Sequence, residues 1–481
     1  METGTRGSEV WHGKAVASVP RGTTRRGAKL AKVPLGAAGR AALGWGQRLA
    51  GGDAELIAKQ WLTRNAEQVF AVLGELKGGA MKFGQAMSIY EAAVPERYAE
   101  PYRQALTRLQ ASAPPIATAR IHRVLDAQLG TRWRQRFTEF DDVPVAAASI
   151  GQVHRAVWHD GRPVAVKVQY PGADTALLSD LRQLRRFSRL AEPLFPGLSV
   201  HSVVAELSDR MTEELDYRRE ADNQRAYAAA FAHDPQFLVP RVVASAPKVL
   251  VSDWVTGQAF SELISDGDQA TKNHAARLLF EFSAASMSRL GLMHADPHAG
   301  NYQLTPDGRL AVIDFGAVAT VHRSAPVFLD DIRLAEIARS VELADIPDQK
   351  LQALVLSELA SALNAVGFSS SDTDVRPEDV MSYFGPFTEP LLAQRFKFSR
   401  RWLQGVAPRV PGFARGQDFL GGAVLTIPAE HALMFRAIAG ILSIACQLEA
   451  ELAVREIVTR WYPDFENPKI PPDLADALGS S

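Results

Sequence analysis

Two carboxylates and an amide carry the strongest chemical signal in this chain. They lie in His294-Ala-Asp-Pro-His-Ala-Gly-Asn301 and, shortly after, Leu310-Ala-Val-Ile-Asp-Phe-Gly316. Moving a phosphoryl group requires a carboxylate beside the acceptor hydroxyl, together with oxygen ligands for the Mg²⁺ that rides on nucleotide phosphates. Asp296, in a loop, suits the first task. Asn301, five residues on, and Asp314, opening an Asp-Phe-Gly turn, suit the second. A lone Asp-Phe-Gly occurs in ordinary turns; the two segments together at this spacing are far more specific. Pro306-Asp-Gly308 between them predicts a short β-hairpin. His294 and His298 have the i, i+4 spacing of a metal pair, but Pro297 opposes the single helical face such a pair requires.

A second group completes the pattern. Val164-Ala-Val-Lys167 ends a predicted strand, where apolar neighbours would hold an ammonium at the floor of a cleft to meet the α/β-phosphates. The turn before such a lysine is glycine-rich in ordinary protein kinases, so that backbone can close over phosphate. Here it reads Val145-Ala-Ala-Ala-Ser-Ile-Gly-Gln152. Methyl groups narrow the available backbone conformations, which predicts altered nucleotide handling. Glu214-Leu-Asp-Tyr-Arg-Arg-Glu-Ala-Asp-Asn223 is a charged helical run, for which a solvated face is the plain reading. A strand lysine needs a helix glutamate to hold it. With 52 residues between Lys167 and Glu220, spacing alone does not assign that pair. Lys77-Gly-Gly-Ala-Met-Lys-Phe-Gly-Gln85 places glycines in a helical context, where each costs about 1 kcal/mol; close helix packing is its plain reading.

The elements that must position these residues follow from periodicity and composition. Residues 1–52 form a basic leader, and no acidic residue lies between Glu9 and Asp53. Residues 53–130 carry apolar positions at helical spacing. Residues 137–170 hold two β-branched runs around an Asp160–Gly161 turn, and two further strands are expected near 240–244 and 249–254. The remainder reads as mainly helical apart from 296–314, and the polar tail after Pro463 reads as mobile. This order of strands, helix, strands and a helical half predicts an α+β, two-lobed enzyme. The divisions expected are 1–52, 53–130, a small lobe over 131–256, a helical lobe over 257–462, and a tail over 463–481.

Composition narrows the class. The chain has 481 residues, 47% hydrophobic and 22% charged, so it can build a large core. Its one cysteine, Cys446, excludes an internal disulfide and a cysteine-based zinc site. Lysine is scarce, 12 against 41 arginines, which gives weight to a lysine inside a motif. The strongest candidate for a membrane span, between Arg436 and Glu449, has only 12 uncharged residues, short of the roughly 20 a bilayer requires. The net charge of -1 hides a leader with nine basic and two acidic side chains beside an acidic body. An anionic membrane is therefore an expected partner, and nucleic acid is not. The expected location is cytoplasmic, peripheral at a membrane, with an organelle presequence as another reading of the leader.

Together, Lys82-Phe-Gly-Gln85, the alanine-rich turn, Val164-Ala-Val-Lys-Val-Gln-Tyr-Pro-Gly172, the Glu214–Asn223 run, His294–Asn301 and Asp314-Phe-Gly resemble the AarF/UbiB family of atypical kinases, in order, from about residue 29 to 450. The resemblance implies a protein-kinase-like fold with a helical N-terminal extension whose K-x-G-Q segment, Lys82 and Gln85, lies over the active site. It implies that Lys167 meets phosphate and pairs with Glu220, that Glu214 sits near the K-x-G-Q segment, and that Asp296 is the catalytic-loop aspartate. It makes Asn301 and Asp314 the Mg²⁺ ligands. Ala146, Ala147, Ala148 and Ser149 would cover ATP or ADP, and Asp253, Trp254, Val255 and Thr256 would form the hinge to adenine. The family is associated with quinone biosynthesis and isoprenoid lipids, which makes an isoprenoid lipid and quinone-biosynthesis proteins expected partners. Two other readings compete: a small-molecule phosphotransferase of the aminoglycoside or choline type, which shares the His-x-Asp-x-x-x-x-Asn loop, and a nucleotide-gated lipid-binding scaffold.

Overall fold

A stripe of Ile121, Val124 and Leu125 gives the first described helix, α1 (Thr118–Leu129), one apolar face. In the computed structural model the described residues are 117–148, 150–172, 215–321, 388–406 and 429–466, with single positions at 174, 175, 178, 181, 182, 212 and 357. The chain then forms β1 (Phe137–Phe140), β2 (Ala146–Ala148), β3 (Gly151–Trp158) and β4 (Pro163–Gln169). The β3–β4 turn is the one expected at Asp160–Gly161. Gly161 has φ 87°, and Asp160 Oδ1 accepts the Arg162 N–H at 3.2 Å.

Helix α2 (Tyr217–Ala230) starts where Asp216 accepts the Arg218 N–H. It is followed by β5 (Phe237–Leu238), β6 (Val242–Ala246) and β7 (Val249–Asp253). The antiparallel sheet has the order β1-β3-β4-β7-β6, with β2 added on β3. Alternation along β4 explains both of its faces. Val164, Val166 and Val168 are wholly buried against the α1 side with Trp133, Phe137 and Trp158, each stabilising by about 1.5–3 kcal/mol. Lys167 points the other way, to the α2 side, where Ile150, Tyr217, Ala221 and Leu250 form a second small core.

The second lobe begins with β8 (Gln258–Ala259) and α3 (Phe260–Asp266). Helix α4 (Gln269–Leu290) is capped by Asp268 at its start and stopped by Gly291 in the left-handed conformation, φ 64°. Next come β9 (Leu292–His294), β10 (Tyr302–Leu304), β11 (Leu310–Val312) and β12 (Val318–Thr320). The expected hairpin at Pro306–Gly308 is the antiparallel β10–β11 pair. Strand β5 joins β11 in parallel and β8 joins β10, giving the order β5-β11-β10-β8, while β9 pairs with β12. The last described elements are β13 (Phe396–Lys397), α5 (Arg400–Val406), α6 (Ala429–Gln447), β14 (Glu451–Leu452) and α7 (Val454–Trp461).

Helix α4 runs through the centre of this lobe, burying Ala275, Ala276, Leu278, Leu279, Phe282 and Ala285 in one continuous core. It also buries a charge. Glu281 is fully enclosed, with Arg277 and Arg460 both donating to Oε1, at 2.8 and 2.6 Å, and Gln236 donating to Oε2 at 2.8 Å. That arrangement ties α4 to α7 and to the entry of β5. Tyr227 on α2 packs on Phe315 at 4.8 Å between ring centroids, so the small lobe's helix is seated on the second lobe's core.

The structure differs from expectation in places that have simple causes. Strands β5, β8, β9 and β12 to β14 are two or three residues long, too short to show a period of two in sequence. Order also extends past Pro463: Phe465 is buried, and its N–H bonds to the Tyr462 carbonyl. Within the segment 53–130, only α1 and the residues beside it are described, and α1 lies on the small lobe's sheet. Among the described residues no helix is long and apolar enough to cross a membrane.

Candidate functional site

The cleft between the lobes is positioned by two adjacent connections. The β9–β10 loop (295–301) and the β11–β12 turn (313–317) run side by side, locked by Ala295 N–H to Ala317 O and Ile313 N–H to Asn301 O, each at 3.0 Å. Asp296 and Asn301 come from the first connection and Asp314 from the second, so residues far apart in sequence face one cleft.

Lys167 reaches across from β4. Its ammonium donates to Glu220 Oε1 and Oε2 at 2.7 and 2.9 Å, and to Asp314 Oδ2 at 2.9 Å. The pair that spacing left unassigned is thus Lys167–Glu220. Burial strips water from this ammonium and opposes its charge, but the neighbouring carboxylates of Asp314 and Glu220 more than offset that and hold its pKa well above the usual lysine value. The Tyr217 ring lies 5.1 Å from Nζ and adds to the favourable field. Lys167 therefore stays charged and fixed, able to meet phosphate oxygens.

Asp314 is held from both sides. Its Oδ1 accepts the Gly316 N–H at 2.9 Å while Oδ2 takes Lys167. The backbone around it is braced by His294, whose Nε2–H donates to the Asp314 carbonyl at 2.6 Å and whose Nδ1 lies 3.2 Å from the Tyr302 hydroxyl. Burial drives the Tyr302 pKa well above its usual value, so it keeps its proton for this contact. Asn223 of α2 donates to the Phe315 carbonyl at 3.1 Å. His294 is thus a brace within the site and not half of a metal pair. His298 turns on itself, with Nδ1 accepting the Gly300 N–H at 3.1 Å.

Asn301 spends its amide N–H on the Asp296 carbonyl at 3.0 Å, which leaves an oxygen as its remaining donor atom. That oxygen and the Asp314 carboxylate are the hard donors that suit magnesium, and an ion carried on phosphates needs only one or two from protein. Asp296 is buried, and its Oδ1 accepts from Arg436 Nη2 of α6 at 2.5 Å.

The alanine-rich turn is a strand. Ala146, Ala147 and Ala148 pair with Val153, Gln152 and Gly151 as β2 against β3. Its one glycine, Gly151, is used in packing: a methyl there would lie 2.4 Å from the Val168 carbonyl oxygen and 2.8 Å from the Tyr217 hydroxyl. At the expected hinge, Asp253 N–H bonds to Arg241 O and Trp254 N–H to Pro163 O, so these two donors belong to the sheet. Val255 and Thr256 follow, beyond the last ladder pair at Asp253, in the connection to β8. Lys82, Gln85, Ser149 and Glu214 lie outside the described residues.

Sequence reasoning missed Arg436, Tyr302 and the bracing role of His294. Arg436 did leave a signal, as the one arginine of the 19-residue helix α6, directly before its apolar run. A charge set within an apolar run is seldom enclosed without a partner.

Residues 108–339 match the ABC1 atypical kinase-like domain. The chain is 28% identical over 409 residues to a Danio rerio protein named "Atypical kinase COQ8B, mitochondrial", covering 84% of this chain and 61% of that protein. It is 32% identical over 261 residues to "Atypical kinase coq-8, mitochondrial" of Caenorhabditis elegans, covering 53% of this chain and 34% of that one. The chain thus spans from about a third to three fifths of these relatives. A solved structure of Rv3197 from Mycobacterium tuberculosis, in complex with erythromycin, is 42% identical with a TM-score of 0.62, covering 86% of this chain and 99% of that one.

Proposed function

Because the chain belongs to the ABC1, or AarF/UbiB, family of atypical kinase-like proteins, we propose that it binds ATP with Mg²⁺ and acts as an atypical kinase or ATPase supporting quinone or isoprenoid-lipid metabolism. One observation carries this reading: Lys167, Glu220 and Asp314 meet within 2.9 Å across the two lobes. Nucleotide binding is what a kinase-like family implies, and this trio is the arrangement that such binding requires.

In the proposed mechanism Lys167 holds the α/β-phosphates and Glu220 fixes its direction. Asn301 and Asp314 hold the metal, which supplies charge neutralisation on the phosphates when bound. Asp296 orients the acceptor hydroxyl, or a water, by accepting its hydrogen bond, and it lies on the lobe opposite Lys167. Ala146, Ala147, Ala148 and Ser149 border the phosphates with a stiffer cover than glycine would give. Val255 and Thr256, rather than the sheet-bonded Asp253 and Trp254 amides, offer adenine its backbone donors. The proposed regulatory set is Lys82, Gln85 and Glu214, and the proposed partners are an anionic membrane, through the basic leader, and quinone-biosynthesis proteins. The small lobe over 131–256 and the helical lobe over 257–462 would close on the nucleotide from either side.

Phosphate release from ATP by the purified full chain tests this, with and without anionic liposomes. Asp314→Asn is expected to abolish magnesium-dependent release. Release that survives the substitution overturns the reading. The erythromycin complex of the solved relative favours one further trial. If a small organic molecule is the ligand, erythromycin will raise the thermal midpoint or change turnover; no change in either removes that possibility.

A further inference from the structure

Arg436 touches the site from a helix that no nucleotide-binding motif includes. It sits on α6, and four residues on, Gly440 seats the same helix face directly on the loop that carries Asp296. A methyl at Gly440 would lie 2.5 Å from Pro297 Cγ and 2.7 Å from the Pro297 carbonyl oxygen. Only a residue without a side chain permits that approach, and the approach brings the Arg436 guanidinium to Asp296 Oδ1 at 2.5 Å.

Among the described residues, the cleft lysine is already engaged. Lys167 meets Glu220 and Asp314. Arg436 brings a cation to Asp296 from outside the loop. A carboxylate on a β-carbon can rotate, and a buried one is costly without a cation, so this contact fixes its direction. The guanidinium has more to give. Its Nε–H is enclosed with no acceptor among the described residues. A buried donor left unmet beside the reacting carboxylate marks a place where an anionic ligand oxygen would be welcomed.

We propose that Arg436 is a positioning residue for phosphoryl transfer, holding Asp296 in the orientation from which it engages the acceptor. The inference rests on the kinase or ATPase reading above and deepens it: the α6 helix becomes part of the catalytic loop's support. Arg436 is needed for turnover and is not a brake on it.

The test is steady-state ATP turnover by the full chain with Mg²⁺, comparing the parent with Arg436→Ala, Arg436→Lys, Asp296→Asn and the Arg436→Ala/Asp296→Asn double variant. We expect Arg436→Ala to lower kcat about 10- to 100-fold, since small misplacements of a reacting group have effects of this order, while KM for ATP stays within about twofold. Arg436→Lys keeps a cation and recovers part of the loss. Guanidinium chloride at tens of millimolar raises turnover of Arg436→Ala but not of Asp296→Asn, an outcome that a purely structural defect would not give. In the Asp296→Asn background, Arg436→Ala adds little. Unchanged or higher kcat in Arg436→Ala overturns the proposal, as does a loss of the same factor in both backgrounds. If the alanine variant does not fold, Arg436→Lys carries the test alone: a partial loss of kcat at unchanged KM supports the proposal, and parent-like kcat overturns it. A parent protein with no turnover at all would instead count against the kinase or ATPase reading itself.

Discussion

Lys167 and Asp296 are both charged groups of the cleft held by an opposite charge, yet they are held by different means. Lys167 is gripped by two carboxylates, one from α2 and one from the β11–β12 turn, at 2.7 to 2.9 Å. Asp296 is met by Arg436 of α6, which a close helix–loop contact brings near. The first grip joins the lobes, so it responds to their closure. The second lies within one lobe and responds to how α6 is seated. Binding nucleotide and orienting the acceptor are thus mechanically separate here, and substitutions at the two centres should separate them as well.

The largest effect is expected from Lys167→Met. It removes the shared cation and leaves Glu220 and Asp314 facing one another, and turnover should fall about 100- to 1,000-fold in a phosphate-release assay, with ATP binding weakened. Gly440→Ala tests the other centre without touching a charged group. Its methyl must displace Pro297 or push α6 away, an overpacking cost of about 1–3 kcal/mol in thermal or denaturant unfolding. Turnover should drop while nucleotide affinity, measured by calorimetry, changes little. Equal losses at both readouts would mean that the two centres are not separate.

Much of this division could be read in the sequence, and part could not. Asp296, Asn301, Asp314 and Lys167 announced themselves because each lies in a short motif with a local turn or strand. The two strands around Asp160–Gly161 and the hairpin at Pro306–Gly308 were legible for the same reason. The Lys167–Glu220 contact spans 53 positions, and periodicity says nothing about which of several acidic residues on a helix will meet a given strand. Arg436 lies 140 positions from Asp296, where only the packing of α6 could bring it. The two- and three-residue strands were invisible because tertiary contacts, not local pattern, create them.

A smaller effect is expected at the cover. Ala147→Gly should shift the ratio of ATP to ADP affinity a few-fold, because β2 loses the stiffness its methyl groups provide, at a cost of about 0.5–1 kcal/mol in the strand. Identical nucleotide binding by parent and variant would show that β2 has no part in nucleotide choice.

The smallest effect concerns the sheet rather than the cleft. His154 is fully buried, and that burial lowers its pKa from the ordinary 6.5, with the Asp141 carbonyl partly opposing. A histidine with a depressed folded pKa is protonated more readily in the unfolded chain. Stability is therefore intact above about pH 6.5 and declines as pH falls below it. The thermal midpoint of the parent should drop between pH 7.5 and 5.5 more steeply than that of His154→Gln; parallel slopes would remove His154 as the cause.

The buried Glu281 has an unequal consequence for its partners. Two guanidinium groups share one of its oxygens while Gln236 holds the other. Losing Arg277 or Arg460 still leaves one cation to pair with the acid. Losing the acid leaves two like charges crowded on an oxygen that is gone, in the middle of a lobe that α4 organises. Arginine positions here can vary one at a time, whereas the single carboxylate cannot, so the tolerance of this lobe to change is set by a residue far from its chemistry.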